Sequence, residues 1–151
     1  MVSIVNFEKQ YAEDFKQLNL EWLDKFGLTE APDLEMLNDP QQVIIDPGGF
    51  IFLAKSNEEI IGSAALIKEK PGEYELAKMV VSPAFRGKGI SKLLIEQCLG
   101  KAKQLGAHRV FLVSNSQLAT AISLYEHYGF RHIPVTNSHY VTADVMMELL
   151  M

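Results

Sequence analysis

Three strand-like runs follow one another in the middle of the sequence, and they constrain the fold more than any other feature. The runs cover roughly 50–55, 60–68 and 73–82, and only "SNEE" (56–59) and "EKPGE" (69–73) separate them. Connections this short, with turn-forming residues, join neighbouring antiparallel strands in hairpins. A parallel pair would need a crossover of about a dozen residues. The segment therefore predicts an antiparallel meander.

The segments around the meander predict four further strands and four helices. The strands are at 3–7, 109–113, 130–135 and 143–151, and the helices are at about 11–26, 31–40, 88–105 and 115–129. The strand at 109–113 follows a helix, so we expect it to run parallel to the strand that ends near Val81. Asn115 or Ser116 is the expected N-cap of the last helix.

We therefore predict a single α+β domain over residues 1–151. Its mixed, mostly antiparallel central sheet is flanked by helices, in the order β-α-α-β-β-β-α-β-α-β-β. A length of 151 residues suits one hydrophobic core.

Charge and composition exclude several classes of function. The net charge of -5 disfavours a general nucleic-acid binder. The first residues lack the pattern of a signal peptide, and the longest apolar stretch, at 60–67, is too short to span a bilayer. We expect a cytoplasmic protein without a membrane partner. The single cysteine, Cys98, excludes an internal disulfide, and the four histidines form no cluster, so no metal site is predicted.

The stretch "VVSPAFRGKGISKLL" (80–94) predicts an anion site where a strand ends and a helix begins. The first turn of a helix has unpaired backbone N–H groups and partial positive charge, which suit a phosphate. Gly87 and Gly89 allow the backbone to approach a ligand closely, and Arg86 and Lys88 add positive charge. A plain solvated basic turn is the alternative interpretation of this segment alone.

Two well-known phosphate motifs do not fit this turn. A P-loop requires Ser or Thr after Gly-Lys, whereas Gly89 stands there. The dinucleotide fingerprint requires a third glycine where this sequence has Lys92. A nucleotide-binding regulatory domain of either type is therefore disfavoured.

The segment from about Glu73 to Phe130 resembles the acetyl-CoA-binding core of the GNAT superfamily of N-acetyltransferases. That family's phosphate loop is [Gln/Arg]-x-x-Gly-x-[Gly/Ala], and this sequence has "RGKGIS" at 86–91, followed downstream by "NSQLATAISLYEHYGF". Ser91 replaces the small Gly or Ala of the last position, but serine is also small and its hydroxyl can bond a phosphate. The predicted order of elements also resembles that family across nearly the whole chain.

The resemblance implies where acetyl-CoA, the acetyl donor, would bind. The pyrophosphate would lie on the backbone amides of the loop Arg86, Gly87, Lys88, Gly89, Ile90 and Ser91. The pantetheine arm would pair with the strand end at Met79, Val80 and Val81, in a slot left where this strand splays from the strand at 109–113. Asn115 resembles a polar residue that contacts the pantetheine side.

Acetyl transfer to an amine requires an amine deprotonated, an oxyanion stabilised and a thiolate protonated. Tyr125 is the predicted acid, because the resemblance of the "LYEHYGF" segment to the family implies that this tyrosine lies near the CoA sulfur; it can also simply pack in the core. Glu75 is the predicted base, since strand alternation without a bulge places it on the same face as Met79 and Val81. A surface Glu is the alternative, and Glu73 is a close competitor. Cys98 lies on the apolar stripe of its helix and is not required as a nucleophile.

The sequence does not identify the molecule that accepts the acetyl group. The resemblance implies an amine-bearing acceptor, a small molecule or a protein, attacked directly in a ternary complex. The first two helices and last two strands would surround it, which brings Trp22, Phe26, Tyr140 and Glu21 within reach. A non-catalytic acetyl-CoA-binding or interaction module is the alternative function, and a symmetric homodimer is the default expectation for assembly.

Overall fold

The computed structural model describes residues 1–136 and 138–151, and a seven-stranded sheet organises this part of the chain. The strands are β1 (Val2–Asn6), β2 (Phe50–Ser56), β3 (Glu59–Lys70), β4 (Glu73–Val81), β5 (Arg109–Ser114), β6 (Arg131–Ile133) and β7 (Val145–Leu150). The helices are α1 (Ala12–Phe26), α2 (Ala31–Asn38), α3 (Ile90–Gln104) and α4 (Ala119–His127). None of the helices in the described ranges is long and apolar enough to cross a membrane.

The sheet is mixed and mostly antiparallel, as the sequence predicts. Its strands lie side by side in the order β1-β2-β3-β4-β5-β7-β6, and β4 and β5 form the parallel pair. The predicted meander is confirmed, since β2, β3 and β4 pair antiparallel in succession. The element order and the α+β class are both confirmed.

Two hydrophobic cores lie on opposite faces of the sheet. On one face, α3 and α4 contribute side chains such as Leu94 and Tyr125 to the larger core. On the other face, α1 and α2 contribute Phe15 and Leu37 to the smaller core. Cys98 is fully buried in the larger core, and burial raises the pKa of its thiol to about 12. A thiol in this state is a packing group rather than a nucleophile.

The predicted capping of the last helix is wrong. Helix α4 begins at Ala119, after Leu118, and no side chain caps it. The Asn115 side-chain carbonyl accepts the backbone N–H of Gln117, and the Ser116 hydroxyl donates to Asp144. Both polar side chains therefore stabilise the turn that precedes the helix.

A β-bulge at Lys78 changes the facing of residues along β4. Lys78 has a φ of 53°, and the register between β3 and β4 shifts between the pairs Ser63–Val80 and Ala65–Ala77. Such a bulge reverses the alternation of side chains beyond it. The alternation that would have placed Glu75, Met79 and Val81 on one face is therefore wrong: Glu75 faces the side of α1 and α2, whereas Val81 belongs to the core under α3.

Candidate active site

Strands β4 and β5 separate shortly after they begin, and this opens the sheet. They pair only over Glu73–Glu75 and Arg109–Phe111, although β4 continues to Val81 and β5 to Ser114. The splay that the resemblance implied is thus present. Two cavities, of about 510 Å³ and about 130 Å³, lie along the opening, and Trp22 and Met79 line both.

The larger cavity lies against the N-terminus of α3. Gly87 and Gly89 have φ values of 76° and 78°, and an added Cβ at either position would meet no atom within 4 Å. The helix begins at Ile90, so the N–H groups of Ile90, Ser91 and Lys92 have no partner within the helix. The turn is thus an open backbone surface with partial positive charge, suited to an anion.

Most of the predicted cofactor-binding residues line this cavity. They are Met79, Val80, Val81, Arg86, Gly87, Gly89, Ile90 and Ser91. Lys88 does not line it: this side chain is exposed, with its ammonium 5.4 Å from the centre of the Phe85 ring. Helix α4 forms the opposite wall through Thr120, Ala121 and Ser123.

Contacts with the protein hold the Arg86 side chain in place. Its Nε donates to the carbonyl of Val81 over 3.1 Å, and its guanidinium lies 4.6 Å from the centre of the Trp22 ring. These contacts fix the loop against β4 and α1. Nothing in the local sequence pattern links Trp22 to Arg86, since 64 positions separate them.

The smaller cavity brings the two predicted catalytic residues together. Tyr125 of α4 and Glu75 of β4 both line it, together with Met79 and Asn115. Tyr125 is only 8% exposed and its ring packs against Phe130 at 5.9 Å. Burial, with a smaller contribution from Cys98, raises the pKa of the Tyr125 hydroxyl well above its ordinary value. The hydroxyl is therefore protonated at neutral pH and able to donate.

Glu75 has the electrostatic properties of a base that works near neutral pH. Burial raises the pKa of its carboxyl group to about 7, while the positive charge of Lys78 acts in the opposite direction. A carboxylate with this pKa is partly ionised at neutral pH and can accept a proton. Its competitor Glu73 differs, because hydrogen bonds from Arg109 and Lys70 lower the pKa of Glu73 despite partial burial.

Asn115 has a structural function at the end of β5. Its amide nitrogen donates to the carbonyl of Thr142 over 2.7 Å, and its side-chain carbonyl accepts the N–H of Gln117. Asn115 lines the smaller cavity. A contact with pantetheine stays a prediction, and it would use the second amide hydrogen or the second lone pair of the carbonyl.

A loop and helix α2 close the cavity on the side away from the turn at 86–91. Glu30, next to α2, accepts the backbone N–H groups of Val141 (2.8 Å) and Thr142 (3.0 Å). Tyr140 and Thr142 line the cavity. Of the residues predicted near the acceptor, Trp22 and Tyr140 therefore lie at the site, whereas Phe26 and Glu21 do not line this cavity.

A third cavity, of about 250 Å³, adjoins the small one. Glu75, Val113 and Tyr140 line both, so these three residues form the boundary between them. Phe111, Val113 and Met146 give it an apolar part, and Arg109 lies in it with Glu73, to which it is paired over 3.0 Å. Glu75 can thus be reached from the side opposite to the turn at 86–91.

The sequence interpretation missed a buried ion pair at the small cavity. Lys78 and Asp33 form a salt bridge, and their side chains are only 6% and 3% exposed. Both residues line the cavity beside Glu75. A buried aspartate in a short helix has no distinctive sequence pattern, and the bulge that turns Lys78 toward it has none either. Within the described ranges, no cluster of three or more potential metal ligands occurs.

The family comparison agrees with this geometry. A family model described as the Acetyltransferase (GNAT) family matches residues 12–130. The chain is 35% identical over 113 residues to an uncharacterised N-acetyltransferase, YjgM, of Escherichia coli K12, and the match covers 73% of this chain and 66% of that protein.

Solved structures share the fold over nearly the whole chain. An acetyltransferase of the GNAT family from Staphylococcus aureus Mu50 superposes with a TM-score of 0.91 at 20% identity, covering 99% of both chains. The PaiA N-acetyltransferase of Thermoplasma acidophilum, solved in complex with coenzyme A, superposes with a TM-score of 0.80 at 16% identity, covering 100% of this chain and 99% of that one.

Proposed function

Because the chain belongs to the acetyltransferase (GNAT) family, enzymes that use acetyl-CoA as acyl donor, we propose that it transfers an acetyl group directly to a primary amine. The amine belongs to a small molecule or to a protein. The observation that carries this proposal is the small cavity at the opening between β4 and β5. Tyr125 and Glu75 both line this cavity, beside an anion-binding turn.

The donor binds along the opening of the sheet. The pyrophosphate is bound by the amides at the start of α3, which Gly87 and Gly89 leave accessible. The pantetheine arm then follows the free edge of β4 at Met79, Val80 and Val81, where β5 no longer pairs. The coenzyme A bound to the PaiA N-acetyltransferase, which has the same fold, supports this donor.

Glu75 removes a proton from the acceptor ammonium, directly or through one water, so that the neutral amine can attack the thioester carbonyl. A new C–N bond forms as the carbonyl π electrons move to oxygen. Because a neutral amine has attacked, the nitrogen of the intermediate carries a positive charge and two hydrogens. The oxyanion then re-forms the carbonyl as the C–S bond breaks, and the Tyr125 hydroxyl protonates the departing thiolate. The nitrogen loses its second proton, through solvent, to the Tyr125 phenolate, which leaves a neutral amide and restores Tyr125, and Glu75 returns the first proton to solvent. No covalent acyl-enzyme is required, because the two substrates are held together.

The acceptor reaches Glu75 from the 250 Å³ cavity. This cavity lies on the far side of Glu75 from the turn at 86–91, where the pyrophosphate of the donor binds. Acetyl-CoA and the acceptor amine can therefore be bound at the same time. The net charge of -5 favours approach of a cationic amine.

Two measurements, made one after the other, test the proposed function. Acetyl-CoA should raise the melting temperature, whereas ATP and NAD at equal concentration should not, because only a ligand of the native state stabilises it. Free thiol release across a panel of amines then separates an enzyme from a binding module. Stabilisation by acetyl-CoA without thiol release for any amine would support the non-catalytic alternative.

A further inference from the structure

Lys78 and Asp33 form the most deeply buried ion pair near the cavity that Glu75 and Tyr125 line. Their side chains are 6% and 3% exposed, and both line the cavity. Burying two charges costs several kcal/mol per ion in desolvation, and a well-packed apolar pair is often at least as stable. Packing alone therefore does not explain why two charged residues occupy these buried positions.

The backbone is distorted to bring Lys78 to this position. In a regular strand, residue 78 would face away from Glu75, since side chains alternate. The left-handed conformation of Lys78, with a φ of 53°, turns its ammonium toward α2 and Asp33. Non-glycine residues rarely adopt this conformation, and it is retained only where the surroundings hold it.

Neighbouring residues hold both ends of the pair. The Ser63 hydroxyl donates to the Lys78 carbonyl over 2.6 Å, and the buried Asn19 side chain donates to the Ser63 hydroxyl over 3.1 Å. The second oxygen of Asp33 accepts the backbone N–H of Glu30 over 2.9 Å, which fixes the start of α2. The Lys78 ammonium also lies 5.6 Å from the centre of the Tyr140 ring. The pair thus has a defined position beside Glu75.

We propose that Lys78 is a positioning residue whose charge, balanced by Asp33, sets the fraction of Glu75 that is ionised and so available as the base. The inference rests on the proposed function of Glu75. With Asp33 ionised, the attraction of Lys78 for the Glu75 carboxylate is partly cancelled. With Asp33 neutral, Lys78 would favour the carboxylate more strongly.

Other ionisable groups also face Glu75, and they differ from the pair. They are Glu73 on the same strand, Glu69 and Lys70 on β3, Arg109 on β5, and His139 and Tyr140 from the loop before β7. Glu73 forms ion pairs with both Lys70 and Arg109, and Arg109 is also paired with Glu148, so these two positive and two negative charges largely offset one another. Lys78 and Asp33 differ from these groups in their position, because they lie on the side of Glu75 that faces α2.

The test uses Asp33→Asn, Lys78→Met and the double variant. Removing the aspartate charge should move the acid limb of kcat/KM to lower pH by about one unit, and removing the lysine charge should move it to higher pH by about one unit. The double variant should fall between the two. Lys55→Met, which removes a lysine paired with Glu58 at the far end of β2, is the matched control and should leave the limb in place.

A second measurement does not depend on turnover. The titration midpoint of the Glu75 carboxyl carbon, followed by NMR in glutamate-labelled protein and assigned by its loss in Glu75→Gln, should shift in the same two directions. If only one of the two single variants folds, its titration midpoint is compared with that of the double variant. The difference between these two midpoints should have the sign expected for that single variant. Shifts in the same direction, or none beyond that of Lys55→Met, would overturn the inference. Opposite NMR shifts in a protein that acetylates no amine would instead retain the inference and reject the proposed function.

Discussion

Gly89→Ala, compared with Gly106→Ala, tests whether the start of α3 binds the donor. Gly89 and Gly106 lie at opposite ends of the same helix, with φ values of 78° and 75°. A Cβ added at either position would meet no heavy atom within 4 Å. The two substitutions therefore impose the same local change on the folded chain, and they differ only in whether a ligand is expected there.

The expected loss of stability is equal in the two variants. A left-handed alanine costs about 1–2 kcal/mol, and the reduced entropy of the unfolded chain returns about 0.4–1 kcal/mol. The net loss is on the order of 1 kcal/mol, which lowers the melting temperature of a chain of this size by about 2–4 °C. No steric clash adds to this value, because both positions are open.

The expected effect on binding differs. The new methyl group of Gly89→Ala keeps a phosphate from the amides that follow, and losing one hydrogen bond to a charged group costs about 1.5–3 kcal/mol. The Kd for acetyl-CoA, measured by calorimetry, should therefore rise about 10- to 100-fold. Gly106→Ala should bind like the wild type. Equal Kd values for the two variants would refute the assignment of the phosphate site to this turn.

Three further substitutions test the remaining assignments. Tyr125→Phe should lower kcat by about 10²- to 10⁴-fold while the Kd for acetyl-CoA changes little; an unchanged kcat removes its function as the acid. Glu75→Gln should abolish the acid limb of kcat/KM near pH 7. Because burial raises the pKa of Glu75 from 4.5 to about 7, the stability of the wild type falls as pH rises from about 4.5 to about 7 and stays at the lower value above that. Glu75→Gln should therefore have a larger free energy of unfolding than the wild type at pH 8, by on the order of 2 kcal/mol, and an equal one at pH 4. Trp22→Leu, which removes the ring beneath Arg86, should weaken acetyl-CoA binding by several-fold, and an unchanged Kd would contradict a function of that contact in holding the loop.

Features that depend on neighbouring residues could be predicted from the sequence. The short turns between β2, β3 and β4 identified the meander, because a chain has few ways to connect strands through two to five residues. Gly89 before α3 indicated an open helix start for the same local reason. The helix itself begins two residues later than the predicted 88, since Gly87 and Gly89 are both left-handed and belong to the turn.

The parts of the site that were missed or mispredicted depend on distant partners. Strand alternation failed for Glu75 because the bulge at Lys78 is stabilised by Ser63, Asn19 and Asp33, none of which lies near it in sequence. The prediction that Asn115 caps α4 was wrong because its side-chain amide donates to the carbonyl of Thr142, 27 positions away. Such contacts form only after the sheet and helices have assembled.

The sequence by itself determined the class of fold, the order of the elements and the position of the glycine-containing turn at 86–91 before α3. These follow from hydrophobic periodicity and turn chemistry, which act over a few residues. Only the tertiary structure decided that Glu75 and Tyr125 line one cavity, and that a buried charge pair lies beside Glu75. The physical reason is that burial and electrostatic fields sum over the whole fold, so the pKa of Glu75 depends on residues from several elements at once.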